Sequence, residues 1–486
     1  MILAIDQGTT GTTCLVFDEE AELIGRAQRE FAQHFPQPGW VEHDLGEIWE
    51  VTHAVAGEAL ADAGARPGEL RAIGITNQRE TVCVWDRATG APLHRAIVWQ
   101  DRRTAAVCAA LREAGDEALV RERTGLVLDP YFSATKIAWL LEHVAGLRDH
   151  PTAVFGTIDA YLIHRLTGEF VTDATNASRT LLFDIRRGAW DPELIELLGC
   201  SGARLPAVVA SAGEVGRTDP DRFHGQAAVV AGIAGDQQAA LFGQACLDPG
   251  LGKNTYGTGS FVLVNTGYTV PEPASGLLAT VASRIGPRLA YAQEASIFVT
   301  GAAVQWLRDG LGIISAAAET EALAGSLGGN DGVYFVPALT GLGSPHWDPH
   351  ARGTIVGLTR GSTRAHLARA ALEAIAYQTV DAVEAIAATG AQLTELRADG
   401  GATVNRWLMQ FQADVLGVPV VLPEVTETTA LGAAYLAGVG VGAWTLQDVA
   451  GSWRVKHRFE PRMGAEERAE RLGGWRDALR RARALA

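Results

Sequence analysis

Residues 2–18, ILAIDQGTTGTTCLVFD, read as strand, tight turn, strand: two apolar, β-rich runs flank a Gly/Thr segment able to fold back on itself. The pattern returns at residues 253–265, KNTYGTGSFVLVN. Around each hairpin the same kinds of unit recur. A third strand is expected near residues 22–31, a helix over 48–63, and strands at 72–76 and 81–85 separated by polar Asn77-Gln78-Arg79-Glu80. Residues 133–144 have helical spacing. A short apolar run at 229–232 leads to Gly235-Asp236 and a helical stretch at 237–244. In the second half, a strand at 396–399 runs into Gly400-Gly401 and a helix over 405–416. The second half therefore restarts the topology of the first. We expect an α/β protein of two domains, residues 1–247 and 248–486, as a length of 486 also suggests.

The composition is ordinary for a globular chain, with 47% hydrophobic and 20% charged residues. A net charge of −15 argues against nucleic acid as a partner, because such a surface repels phosphate backbones. It leaves a single nucleotide open as ligand, since backbone N–H groups, a magnesium ion and a few cations suffice to hold one. The five cysteines form no CxxC pair, which fits reduced, buried thiols in a cytoplasmic protein. The longest uncharged stretch, 428–447, is Gly/Ala-rich and too poor in bulky apolar residues for a membrane span. It is expected to be a tightly packed buried helix with its exit loop, and no membrane insertion is expected.

Both hairpins carry phosphate-binding chemistry. Glycines let backbone approach a phosphate, consecutive turn N–H groups can form an anion nest, and Thr hydroxyls add donors. Asp6, at a strand end, is placed to hold magnesium directly or through water. No GxxxxGK[ST] loop occurs, nor a protein-kinase HRD or DFG set. Asp236 suits a general base for an attacking hydroxyl, and equally a helix N-cap. Arg79-Glu80 is either a polyol clasp or a solvated turn. Gly400-Gly401 with Asn405 is either room for a nucleoside or a tight strand–helix corner.

At these residues the chain resembles the FGGY carbohydrate kinases. AIDQGTT at 4–10, PGWVEHD at 38–44, GITNQRET at 74–81, TGLVLDPYFSATK at 124–136, GIAGDQQAALFGQ at 232–244, KNTYGTGSF at 253–261 and DGGATVNRWLMQFQAD at 399–414 follow the family's order along nearly the whole chain. PGWVEHD, and NQRE together with DPYFS, point to the members that act on glycerol. The resemblance implies two ribonuclease H-like domains of the actin/hexokinase/heat-shock ATPase kind, with the site in the cleft between them. It implies that Arg79, Glu80, Tyr131, Asp236 and Gln237 bind glycerol hydroxyls, that Trp99 and Phe261 pack on its carbon face, and that Asp236 is the base. Thr9, Thr10, Gly11 and the Thr13 position would contact the phosphates of ATP from one side and Thr258 from the other. Gly301, Gln305, Gly401 and Asn405 would surround the nucleoside, with Asp6 positioning Mg2+. A homodimer or homotetramer is expected. Three departures stand out. Thr13 occupies the place of a phosphate-binding arginine, a contact worth about 1.5–3 kcal/mol. His346 replaces a common tyrosine. Arg222 stands where members regulated by phosphotransferase carry a phosphorylated histidine, and nearby His224 is expected to be an ordinary surface histidine.

Overall fold

The strands that matter most belong to one mixed sheet, numbered here β1 (Ile2–Gln7), β2 (Gly11–Phe17), β3 (Leu23–Glu30), β4 (Ala72–Asn77), β5 (Ala212–Arg217), β6 (Val229–Gly235), β7 (Leu251–Tyr256), β8 (Ser260–Gly267), β9 (Leu278–Ile285), β10 (Arg288–Ile297), β11 (Glu395–Asp399), β12 (Val420–Pro423) and β13 (Val455–Phe459). They come from a computed structural model that describes every residue except 273, 275, 485 and 486. The thirteen strands run in the order β13-β12-β11-β7-β8-β10-β9-β5-β6-β4-β1-β2-β3. All strands of the first half lie together, and all strands of the second half lie together.

The duplication expected from the two hairpins is visible in the pairing. In the first half β1 pairs antiparallel with β2 and β2 with β3, while β1–β4 and β4–β6 are parallel. In the second half β7–β8 and β8–β10 are antiparallel, while β7–β11 and β11–β12 are parallel. The halves join where β5 meets β9, with one residue pair, Ala212 and Ile285, in register. So slight a seam leaves the geometry between the halves to side chains and helices.

Alternation along β1 explains why both sides of this sheet are covered. Leu3 and Ile5 point into a core with Ile48, Val55 and Ala59 of helix α1 (Leu45–Asp62), which Asp44 caps by accepting from the N–H groups of Gly46 and Glu47. Ile2 and Ala4 point the other way, into a core shared with helix α2 (Asp236–Gly243) and, from the second half of the chain, helix α3 (Thr428–Gly440). A strand buried on both faces reads as an unbroken apolar run, as this one does.

Helix α3 is the uncharged stretch picked out in the sequence, and small residues are what its packing demands. A Cβ on Gly432 would stand 1.8 Å from the Ala239 carbonyl oxygen, and one on Gly243 1.9 Å from that of Thr428. On the sheet below, a Cβ on Gly74 would meet the Ala433 oxygen at 2.1 Å. Backbone lies against backbone, so α2, α3 and the first-half sheet form one tight layer. Among the described residues no helix is long and apolar enough to cross a membrane.

Candidate active site

The polar corner between β4 and the strand Cys83–Asp86 is buried: Arg79 is 2% exposed and Glu80 1%, which overturns the solvated-turn reading. Glu80 has φ 62°, a left-handed conformation that is costly for a non-glycine residue and persists where its surroundings enforce it. The enforcement is visible. Ser133 Oγ donates to the Glu80 carbonyl at 3.0 Å, and the buried Lys136 ammonium donates to the carbonyls of Glu80 and Tyr131 at 3.4 and 2.7 Å. Burial pulls the Lys136 pKa down to about 7.

Four buried charges then interlock. Arg79 Nη1 and Nη2 donate to the two Glu294 oxygens at 2.6 and 3.1 Å. Arg179 Nε donates to Glu80 at 2.6 Å, and its Nη2 to Glu294 at 3.0 Å. Burial alone would raise the Glu294 carboxyl, but the Arg179 and Arg79 guanidiniums outweigh it and hold it at about 2. Two positive and two negative side chains leave the cluster near neutral, which makes its burial affordable.

Asp236 stands at the rim of this cluster, 3.1 Å from Arg79 Nε, with 31% of its side chain open to solvent. It is the first residue of α2, not its N-cap: Gly235 occupies that place, and the Asp236 carboxylate accepts from the neighbouring Gln237 N–H at 2.7 Å. Burial raises its pKa, against the opposing pull of Arg79 and Lys253. Close by, Asp6 is pushed up to about 7 by burial and by the charge of Asp236.

The start of α2 also meets both hairpins. Asp6, next to last in β1, stands opposite Thr13 in the β1–β2 register, so both side chains take the same face. At the second hairpin, buried Lys253 donates to Gln237 Oε1. Half-buried aromatics flank the opening. Trp99 Nε1 donates to Thr9 Oγ1 at 2.9 Å, the Trp99 and Tyr131 rings meet edge to face at 5.4 Å, and the Phe261 ring lies 6.0 Å from the Arg79 guanidinium.

The second hairpin is held open at its tip by close backbone contacts. The Gly301 N–H donates to the Gly257 carbonyl at 3.0 Å, an approach at which a Cβ would stand 2.7 Å from that oxygen. Gly400, at φ 90°, lies against Tyr256, where a Cβ would meet the carbonyl oxygen at 2.5 Å. These glycines bring Thr258, Gly301 and the Gly400-Gly401 corner together, with Thr258, Gln305 and Gly401 exposed. Thr10 is exposed at the tip of the first hairpin, and Thr9, Gly11 and Thr13 are partly so. Asn405 is committed elsewhere: its Oδ1 caps helix α4 (Arg406–Leu416) through the Leu408 N–H at 2.9 Å, and its Nδ2 donates to Thr320.

Glu294, Arg179 and Gln238 were not singled out from the sequence, although Gln238 lies in GIAGDQQAALFGQ. The available signal was a lone acid, Glu294, inside the otherwise uncharged run 289–299. His224 is exposed as expected, yet it is held in place, its ring tilted against that of His53 at 4.2 Å and bonded to the His53 carbonyl at 2.8 Å. His346 lies 3.7 Å from Asp381 and 3.5 Å from Arg483.

Two duplicated α/β lobes, each presenting a Gly/Thr hairpin to a site at their junction, define a kinase of the actin/hexokinase/heat-shock ATPase kind. Residues 1–243 match the N-terminal domain of the FGGY family of carbohydrate kinases and residues 252–441 its C-terminal domain, and the chain belongs to that family. It is 56% identical to a glycerol kinase of Trichlorobacter lovleyi over 100% of this chain and 99% of that one. It is 54% identical to a glycerol kinase of Deinococcus radiodurans, over 99% and 97%. Its fold matches Plasmodium falciparum glycerol kinase with ADP at a TM-score of 0.93 and 36% identity, covering 99% of this chain and 98% of that one. A xylulose kinase of Rhodospirillum rubrum matches at 0.88 with 27% identity, over 98% and 97%.

Proposed function

We propose that the protein is an ATP-dependent glycerol kinase, transferring the γ-phosphate of ATP to a terminal hydroxyl to give sn-glycerol 3-phosphate and ADP. The observation that carries it is Asp236: a solvent-reaching carboxylate of raised pKa, steered by Arg79 and standing between two phosphate-type hairpins. Asp236 takes the hydroxyl proton as that oxygen bonds to the γ-phosphorus and the bond from phosphorus to the ADP oxygen breaks. Arg79, Glu80, Tyr131 and Gln237 engage the remaining hydroxyls, and Trp99 and Phe261 cover the carbon chain. Thr9, Thr10, Gly11 and Thr13 face the phosphates from one side and Thr258 from the other. Gly301, Gln305 and Gly401 take the nucleoside, with Asn405 supporting that wall through its helix cap.

Asp6 offers hard carboxylate oxygens under repulsion from Asp236, and a divalent cation beside it would relieve that repulsion, so the residues fit magnesium. When bound, magnesium neutralises phosphate charge. Whole-chain identity of 54–56% to glycerol kinases, against 27% to a xylulose kinase, supports glycerol over a larger sugar. The five buried, unpaired cysteines suit a cytoplasmic protein, and a homodimer or homotetramer is the assembly we propose.

The test is ADP release against a panel of glycerol, xylulose and gluconate. Glycerol is expected to exceed the others by at least about 100-fold in kcat/KM, a ratio in reach of a shape-matched polar pocket. Equal rates would overturn the acceptor. Asp236→Asn is expected to lower kcat by about 100-fold or more with ATP binding kept, and near-normal turnover would overturn its role as base.

A further inference from the structure

Glu294 lies on β10, in the second half of the chain, yet both its oxygens are spent on arginines of the first half. It is fully enclosed, at 0% exposure. Arg79 has five N–H donors in a fixed fork. Glu294 takes one on each terminal nitrogen, and Gln238 Oε1 accepts a second from Nη1 at 3.3 Å. What remains for the cleft is Nε–H and the second N–H of Nη2, the edge that faces Asp236, with Nε 3.1 Å from its carboxylate. Gln238 is itself fixed, since its amide donates to Thr280 Oγ1 at 2.9 Å. Glu294 thereby decides which edge of the guanidinium the cleft receives. Without it the fork is free to rotate away from this presentation, and its full charge then falls on Asp236.

We propose that Glu294 is a positioning residue for the phosphoryl transfer. It orients Arg79 and absorbs part of its charge, so that Asp236 is steered by the arginine without being locked to it. Arg179 belongs to the same device, as it ties Glu294 to Glu80, and its Nη1 is buried with no partner among the described residues. Because Glu294 reaches across the seam between β5 and β9, the device also ties acceptor geometry to the relative placement of the halves. This proposal rests on the reading of Asp236 as base and of glycerol as acceptor.

The charged groups around Asp236 are Asp6 from β1, Arg79 and Glu80 from the corner after β4, Lys253 from β7, Glu294 from β10, and Arg179 behind them. Replacing Glu294 by glutamine removes one of the two negative charges that offset the arginines, Glu80 being the other, while keeping the shape. Arg79 then stabilises the Asp236 carboxylate more strongly, so its pKa falls, and a weaker base is also held in a tighter pair.

The experiment is steady-state kinetics of Glu294→Gln beside the wild type from pH 5 to 9, with glycerol and ATP varied separately. The wild type's glycerol-dependent ADP release reports on the assigned reaction, and the ratio of variant to wild type reports on Glu294. The expected result is a KM for glycerol raised by about tenfold, a lower kcat, and an acid limb of kcat/KM displaced downward by about half a pH unit or more, with the KM for ATP within about twofold. A uniform loss of kcat with glycerol KM and acid limb unmoved would mean a structural role only and overturn the proposal, as would wild-type values throughout. Should the glutamine variant not fold, Glu294→Asp keeps the charge but shortens the reach. It is expected to raise the KM for glycerol while leaving the acid limb in place, and an unchanged KM would overturn the proposal in that form.

Discussion

With the magnesium role proposed for Asp6, this single carboxylate sets a conflict between ligand binding and stability. Burial and Asp236 lift it from the ordinary 3.8 to about 7. A raised carboxyl pKa favours the folded state while the group stays protonated. As pH climbs from about 4 to 7 the unfolded chain ionises freely and the folded chain does so at a cost, so this contribution is lost. Asp6→Asn escapes the loss. In the absence of nucleotide and magnesium its melting temperature is expected to exceed that of the wild type by a margin that widens from pH 4 to pH 8, while turnover collapses. A margin independent of pH would refute the conflict. Thr13, across the register from Asp6, is the other residue-scale question. Thr13→Arg places a cation on the same face of the hairpin, and we expect the KM for ATP to fall by up to about tenfold. No fall would mean that the existing hairpin already satisfies the phosphates.

At the level of elements, α2 and α3 cross with no side chain between them at Gly243 and Gly432. Gly432→Val drives a Cβ into the Ala239 carbonyl, and we expect a loss of about 3 kcal/mol, read as a lowered denaturation midpoint. Gly451→Ala, with nothing within 4 Å of the added carbon, is the control and should be neutral or slightly stabilising. The same elements show what the sequence made legible. Hairpins, strand–glycine–helix corners and the uncharged helix are local patterns, and residues 228–244 or 428–440 declare them without help from elsewhere. Strand β6 ran three residues past its apolar stretch because pairing with β4 continues to Gly235 opposite Asn77. The buried charge cluster left no such trace. Arg79 and Glu294 are 215 positions apart, Glu80 and Arg179 are 99 apart, and a charged residue in a strand or turn defaults to solvent until its distant partner is known. The conformation of Glu80 was equally hidden, because Ser133 and Lys136 impose it from another element.

On the scale of the whole molecule, duplication explains why two weak hairpin signals strengthened each other: each half carries the same pairing scheme and contributes one hairpin to a shared site. The halves are not self-sufficient, however. One face of β1 and β2, with Ile2, Ala4, Leu15 and Phe17, is covered by α3, whose residues 430–437 arrive more than four hundred positions later. During synthesis that face waits, bare and apolar, until almost the entire chain has left the ribosome. The first lobe to be made is thus the last to be finished, and nascent chains depend on chaperone shelter or quick completion to avoid associating through it. Evolution by swapping one lobe for that of a cousin is constrained in the same way, since a transplanted second lobe must bring a helix that fits glycine by glycine against a sheet it did not grow up with.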